Sequence, residues 1–288
     1  MSEATALDTP LGIICGGGSI PLTVADSVIK SGRKVVLFPV AGWADASAFS
    51  NYRHHWVNVG QLGRFYRLAA AEGIRDLVFV GTVLRPAINK IRLDWKTVSS
   101  FPRIVSAFRG GDDHLLTGIG RLMEDEGFRL IGAQEVAPQI LMTEGSIGTR
   151  QPGDGDLNDI ARGLEVLSAL GQSDVGQAVV VADGHVLALE AAEGTDRMVA
   201  RVSELRRIGR VKTPPGVGVL VKAPKKSQDR RFDLPTVGPE TVEAAARAEL
   251  AGVAIVAGAA IIVDPQRVAR AADVAGIFVV GIPAGTSA

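Results

Sequence analysis

Short apolar runs recur along the 288 residues, each broken by glycine or by an amphipathic stretch. Leu11 to Cys15 is apolar and brief, the pattern of a buried strand. It runs into Gly16, Gly17 and Gly18, then Ser19-Ile20-Pro21, then a helical pattern to about Ser31. Lys34 to Phe38 is the next strand. Arg64 to Glu72 reads as a helix that Gly73 ends. Asp76 to Val80 is a strand, and Phe128 to Ile131 is another. Between them a helix runs to Glu126, and Asp112 or Asp113 suits its N-cap. Strand, glycine turn, helix, strand opens a doubly wound α/β sheet. The pattern predicts a Rossmann-like parallel-sheet domain over residues 1–145.

Composition then changes. Gly145 to Asp159 is rich in turn formers, so residues 146–158 are expected to be a linker. A helix over Asp159 to Leu170 would open a second domain of mixed α+β type, residues 159–288. Val175 to Ala182 and His185 to Glu190 flank Asp183-Gly184, a hairpin signature. Helices are expected over Arg197 to Ile208, Pro239 to Leu250 and Pro265 to Ala272. Strands are expected at Val217 to Val221, Ala254 to Val256, Ala260 to Val263 and Ile277 to Gly281.

One stretch breaks every period. Lys222 to Glu240 gathers Lys222, Lys225, Lys226, Arg230, Arg231, Gln228, Asp229 and Asp233 around Pro224, Pro235 and Pro239. The prolines exclude a regular helix. The stretch is a charged loop between strand and helix, where catalytic groups often sit on a rigid scaffold. Its cations can neutralise phosphate oxygens. Asp229 and Asp233 are four apart and share a face in extended chain, so they could hold a divalent ion or a water. On the loop alone, a solvated surface run is the plain alternative.

Other candidates carry two readings each. Gly16 to Gly18 lets backbone approach a ligand, but Pro21 stands where a dinucleotide fingerprint needs its last glycine. Gly81 to Pro86 follows a strand at its carboxyl end, and Arg85 could meet an anion or pair on the surface. Asp112, Asp113 and His114 are adjacent and cannot all face one metal in regular structure. Glu190, Glu193 and Asp196 form an acidic cluster before a helix, suited to capping or to positioning a metal or water. His54, His55 and His185 lack metal spacing.

The 31 basic and 31 acidic residues balance, and aromatics are 5%, which argues against a nucleic-acid partner. Cys15 is the single cysteine, so neither a disulfide nor a cysteine zinc site forms within the chain. The first ten residues are polar, without a signal-peptide core. The most apolar run, Gly252 to Val263, falls short of the ~20 residues of a spanning helix. A cytoplasmic protein is expected; a peripheral contact with the inner membrane stays open.

Several motifs occur together and in order. They are Gly16-Gly-Gly-Ser-Ile-Pro21, Gly81-Thr-Val-Leu-Arg-Pro86, Gly111-Asp-Asp-His114, Asp174-Val-Gly-Gln177, Glu190-Ala-Ala-Glu-Gly-Thr-Asp196 and Gln228-Asp-Arg-Arg-Phe-Asp-Leu-Pro235 through Gly238. With them the chain resembles the UDP-2,3-diacylglucosamine pyrophosphatases of the LpxI type over nearly its whole length. That resemblance implies a Mg²⁺-dependent hydrolase of lipid A biosynthesis. It would release UMP and 2,3-diacylglucosamine 1-phosphate (lipid X), with water attacking the phosphorus next to the sugar. It implies an essential aspartate, Asp229 ahead of Asp233, with Lys222 and Arg230 assisting. Asp229, Asp233 and Asp196 would be metal ligands. Gly16, Gly17, Gly18, Ile20, Pro21, Thr82, Arg85, Glu190, Gly194, Thr195 and Gln228 would hold the substrate. A homodimer stays open. Two other readings stand beside it: a nucleotide-dependent oxidoreductase or transferase, and a binding module without turnover for a nucleotide sugar or anionic lipid.

Overall fold

A computed structural model describes residues 9–83, 93–99, 112–171, 175–225, 229–232 and 234–284, with the backbone alone for 112–115. The chain forms two compact units. The first comprises Met1–Pro138 and Asp229–Asp233; the second comprises Gln139–Gln228 and Leu234–Ala288.

The first unit is built on four parallel strands. They are β1 (Leu11–Cys15), β2 (Val35–Pro39), β3 (Asp76–Val80) and β4 (Arg129–Leu130), in the order β2-β1-β3-β4. Leu11 pairs with Val35 on one side and Asp76 on the other. The strands are near-continuous apolar runs because helices can cover both faces of such a sheet. The helices are α1 (Ile20–Lys30), α2 (Leu62–Ala71), α3 (Trp95–Ser99), α4 (Asp112–Asp125) and the short α5 (Ala133–Val136). Pro21 sits in the first turn of α1, where a missing N–H costs nothing. Phe38, Phe65, Leu77, Met123 and Leu130 form the core, with Phe38 and Phe65 edge to face at 5.0 Å. The expected Rossmann-like parallel sheet is present.

The second unit carries a six-stranded mixed sheet, ordered β5-β12-β10-β8-β6-β7. Its members are β5 (Gly145–Ile147), β6 (Ala178–Ala182), β7 (His185–Leu189), β8 (Val219–Lys222), β10 (Gly252–Val256) and β12 (Phe278–Ile282). β8, β10 and β12 are parallel; β5, β6 and β7 each pair antiparallel with their neighbours. A two-stranded pair, β9 (Thr236–Val237) with β11 (Ile261–Ile262), stands apart. The helices are α6 (Asp154–Leu170), α7 (Thr195–Arg207), α8 (Pro239–Arg247) and α9 (Pro265–Ala275). Alternate strand residues feed two cores. Val180, Leu220, Val253 and Val279 pack with Met198, Val242 and Val268 of α7, α8 and α9. Val179, Val221, Ala254 and Val280 pack with Ile160 and Leu167 of α6. The sheet is therefore covered on both faces.

The stretch 146–158 differs from the linker expected of it. β5 pairs with β12 through Ser146 and Ile147, and α6 begins at Asp154 rather than Asp159. The turn formers there are helix-start residues: Asp156 accepts the Gly153 N–H at 3.0 Å, and its charge suits the helix N-terminus. Asp159 is buried inside α6, where its carboxylate accepts the N–H groups of Asp183 and Gly184 at 3.1 and 2.7 Å. It ties the helix to the β6–β7 turn.

Candidate active site

The described turn of the charged loop is held by its own side chains. Asp229 to Phe232 forms a β-turn, in which the Phe232 N–H donates to the Asp229 carbonyl at 3.0 Å. Arg231 closes on the Asp229 carboxylate three ways. Its backbone N–H donates to Oδ1 at 3.0 Å, its Nε–H reaches both oxygens at 3.0 and 3.1 Å, and Nη2 donates to Oδ2 at 2.7 Å. Arg231 Nη1 donates in turn to Glu124 Oε1 of α4 at 2.7 Å. The Arg231 guanidinium bonds hold the Asp229 carboxyl below the usual carboxylate range; partial burial opposes this and loses. Asp229 is accordingly an ionised acceptor, poorly matched to proton abstraction near neutral pH.

The aromatic in this loop is an anchor. Phe232 meets Phe79 of β3 edge to face at 5.4 Å and joins the first unit's core. Arg231 lies over the Phe232 ring at 5.6 Å. The ring rests on Gly120 of α4 so closely that a Cβ there would fall 2.3 Å from Cζ. At the loop's start, Lys222 is buried in the second unit, and its Nζ donates to the Thr236 carbonyl at 2.9 Å. Arg230 is exposed. Lys226, Gln228 and Asp233 lie outside the described residues, as does Arg85.

The glycine turn also has a cause inside its own unit. Gly17 and Thr82 exchange backbone hydrogen bonds at 2.8 and 3.0 Å. A Cβ on Gly16 would stand 2.6 Å from the Gly81 and Thr82 backbone. The glycine at 16 thus lets the loops after β1 and β3 touch each other. Gly18 is exposed with positive φ, while Ile20 and Pro21 fill the buried face of α1.

In the second unit, Glu190 accepts the Gln177 N–H at 2.8 Å and the Thr195 hydroxyl at 2.9 Å. It binds the start of β6 to the start of α7. Glu193 pairs with Arg201 at 2.8 Å. Gly194 precedes α7 with φ near 80°, and Asp196 lies in the first turn of that helix. Glu190 and Glu193 are thus paired within the unit, around the start of the helix. Among the described residues no group of three or more His, Cys, Asp or Glu could hold a metal ion. The side chains of Asp112, Asp113 and His114 lie outside the description, and Asp112 is the first residue of α4.

Sequence reasoning named Arg231 as a cation but missed its grip on Asp229, and it gave Glu124 and Phe232 no role of their own. A single phenylalanine in a charged run was the available signal, since a loop exposed throughout has little use for it.

Two units, one built on a four-stranded parallel sheet and carrying the ion-paired Asp229 turn, the other on a six-stranded mixed sheet, define a two-unit α/β protein. The model of the LpxI N-terminal domain matches residues 10–140, and that of the LpxI C-terminal domain matches residues 143–280. A relative from Caulobacter vibrioides, described as UDP-2,3-diacylglucosamine pyrophosphatase LpxI, is 38% identical over 272 residues. The match spans 94% of this chain and 97% of the relative. The chain belongs to the LpxI family. Among the described residues, no helix is long and apolar enough to cross a membrane.

Proposed function

We propose that this chain hydrolyses the diphosphate of UDP-2,3-diacylglucosamine to UMP and 2,3-diacylglucosamine 1-phosphate, a step of lipid A biosynthesis. The observation that carries the reading is the near full-length likeness to a pyrophosphatase of that description. Water adds to the sugar-side phosphorus, the bond from that phosphorus to the bridging oxygen breaks, and the bridging oxygen leaves with UMP.

The loop's chemistry supports this assignment. Cleaving a diphosphate requires charge neutralisation at the reacting phosphorus, and Lys222, Lys225, Arg230 and Arg231 occur in the same stretch of sequence as Asp229. Lys222 and Arg230 are assigned to that task, with Asp229 or Asp233 as the essential carboxylate. Mg²⁺ binds through one or two carboxylates plus substrate phosphates and keeps several waters. Asp229 is assigned as one such carboxylate; the Arg231 contacts already fall on both of its oxygens, so a metal bound there would share the carboxylate with the guanidinium. Asp233 and Asp196 are assigned as the further metal carboxylates. Bound there, the ion would neutralise diphosphate charge. Gly16 to Gly18, Ile20, Pro21, Thr82 and Arg85 are assigned to the nucleotide or diphosphate, and Glu190, Gly194, Thr195 and Gln228 to the rest of the substrate's polar wall.

The test is UMP release from UDP-2,3-diacylglucosamine, first with Mg²⁺ and then with EDTA. Release that requires Mg²⁺ and vanishes in Asp229→Ala or Asp233→Ala is expected. In H₂¹⁸O the label should enter the sugar phosphate and not UMP. Full turnover by both single variants would remove the loop from the chemistry. Tight substrate binding without release would return the protein to the binding-module reading.

A further inference from the structure

We infer that Glu124 and Arg231 are a positioning pair for Asp229, acting from α4 across more than a hundred residues of sequence. The inference rests on the proposed reading of Asp229 as a catalytic carboxylate and adds the residues that aim it.

Three observations converge. The Asp229 carboxylate takes its four hydrogen-bond contacts from Arg231 alone among the described residues, three of them from the guanidinium. An arginine fork fixes both the position and the plane of a carboxylate, as a lysine cannot. The fork is itself held from outside the turn, by Glu124 Oε1 at 2.7 Å and by the Phe232 ring. Finally, Phe232 seats the turn against Phe79 and Gly120, so the backbone carrying Asp229 rests on the helix that carries Glu124. Arg231 has one edge for each acid: Nε and Nη2 face Asp229, and Nη1 faces Glu124. Glu124 thereby holds the rotamer of Arg231 that turns Nε and Nη2 onto Asp229.

As a plain surface ion pair, Glu124 and Arg231 would matter little to anything, since both side chains are more than a third exposed or close to it. That reading and the positioning role predict different data. If the pair positions Asp229, Arg231→Ala lowers kcat by about 10- to 100-fold with KM little changed, the range seen when supporting residues of a site are removed. Glu124→Ala lowers kcat less, and in the Arg231→Ala background it adds no further loss, because it acts only through the arginine. Arg231→Lys recovers part of the rate, since one ammonium reaches one acid at a time. Glu124→Gln retains an oxygen acceptor and stays close to the parent. Melting temperatures of the four single variants and the double variant stay near that of the parent, so folding does not obscure the rates.

The measurement is steady-state UMP release for these variants beside Asp229→Ala. Loss of turnover in Asp229→Ala with parental kcat in Arg231→Ala and Glu124→Ala overturns the positioning pair and leaves the catalytic aspartate standing. Additive losses in the double variant overturn the relay through Arg231. Full turnover in Asp229→Ala overturns the underlying reading, and this inference with it.

Discussion

Two aspartates show how arginine decides what a carboxylate does. Asp229 meets one arginine in an open turn. Asp76, at the first position of β3, is buried and meets two: Arg33, and Arg129 at 2.8 Å. Burial pushes the Asp76 carboxyl up, but the hydrogen bonds and charges of Arg129 and Arg33 together outweigh it, and the net shift is downward. A carboxylate whose folded pKa lies below its unfolded value of about 3.9 stabilises fully above that value and loses its contribution as pH falls through the folded one. Asp76→Asn should therefore cost about 3 kcal/mol near neutral pH, since it strands the buried Arg33. It should also flatten the acid side of the stability profile below about pH 4. Urea midpoints of parent and variant between acid and neutral pH check both. A cost that does not shrink in acid would show that packing rather than charge sets it.

At the scale of elements, α4 and the Asp229 turn are matched at one point. Gly120 in a helix interior ordinarily costs about 0.5–1 kcal/mol relative to alanine. Here the glycine makes room for the Phe232 ring. Gly120→Ala should strengthen the helix while displacing the ring, so its melting temperature stays within a few degrees of the parent's while UMP release falls about tenfold or more. In a Phe232→Ala background the same substitution should cost no further activity, because the ring it would strike is gone. A Gly120→Ala variant with parental kcat would separate the ring's seating from the chemistry. Element identity was largely legible beforehand. β1, β3, the β6–β7 hairpin and α4 follow from apolar runs, an Asp-Gly pair and an amphipathic period, all local signals. The misreading at 146–158 has a local cause too: glycine and aspartate mark turns and helix starts alike. What no local signal carries is Gly120, whose reason lies in a ring far along the chain.

At the scale of the molecule, the chain leaves the second unit after Gln228, gives Asp229–Asp233 to the first unit, and returns at Leu234. This is why the loop was recognisable as chemistry but not as architecture. Its charges are neighbours in sequence, whereas Glu124 is 107 residues from Arg231. Placing β8 before the loop and β9 after it suggests, by adjacency, that the loop serves the second unit; Phe232 sits in the other core. The consequence can be measured by hydrogen exchange. Phe232 is half-buried. Phe232→Ala should therefore remove about 2 kcal/mol, less than a fully buried phenylalanine would. That is roughly a 30-fold loss of protection where the globally most stable amides report on the first unit. The loss should fall on β1, β3 and α4, with β8 and β10 unchanged, although β8 is the strand that leads into the loop. If β8 and β10 lose protection instead, the ring contributes to the second unit and the turn carrying Asp229 is not anchored on α4. If β1, β3 and α4 respond alone, stability is transmitted by the seat of one side chain and not by the order of the chain.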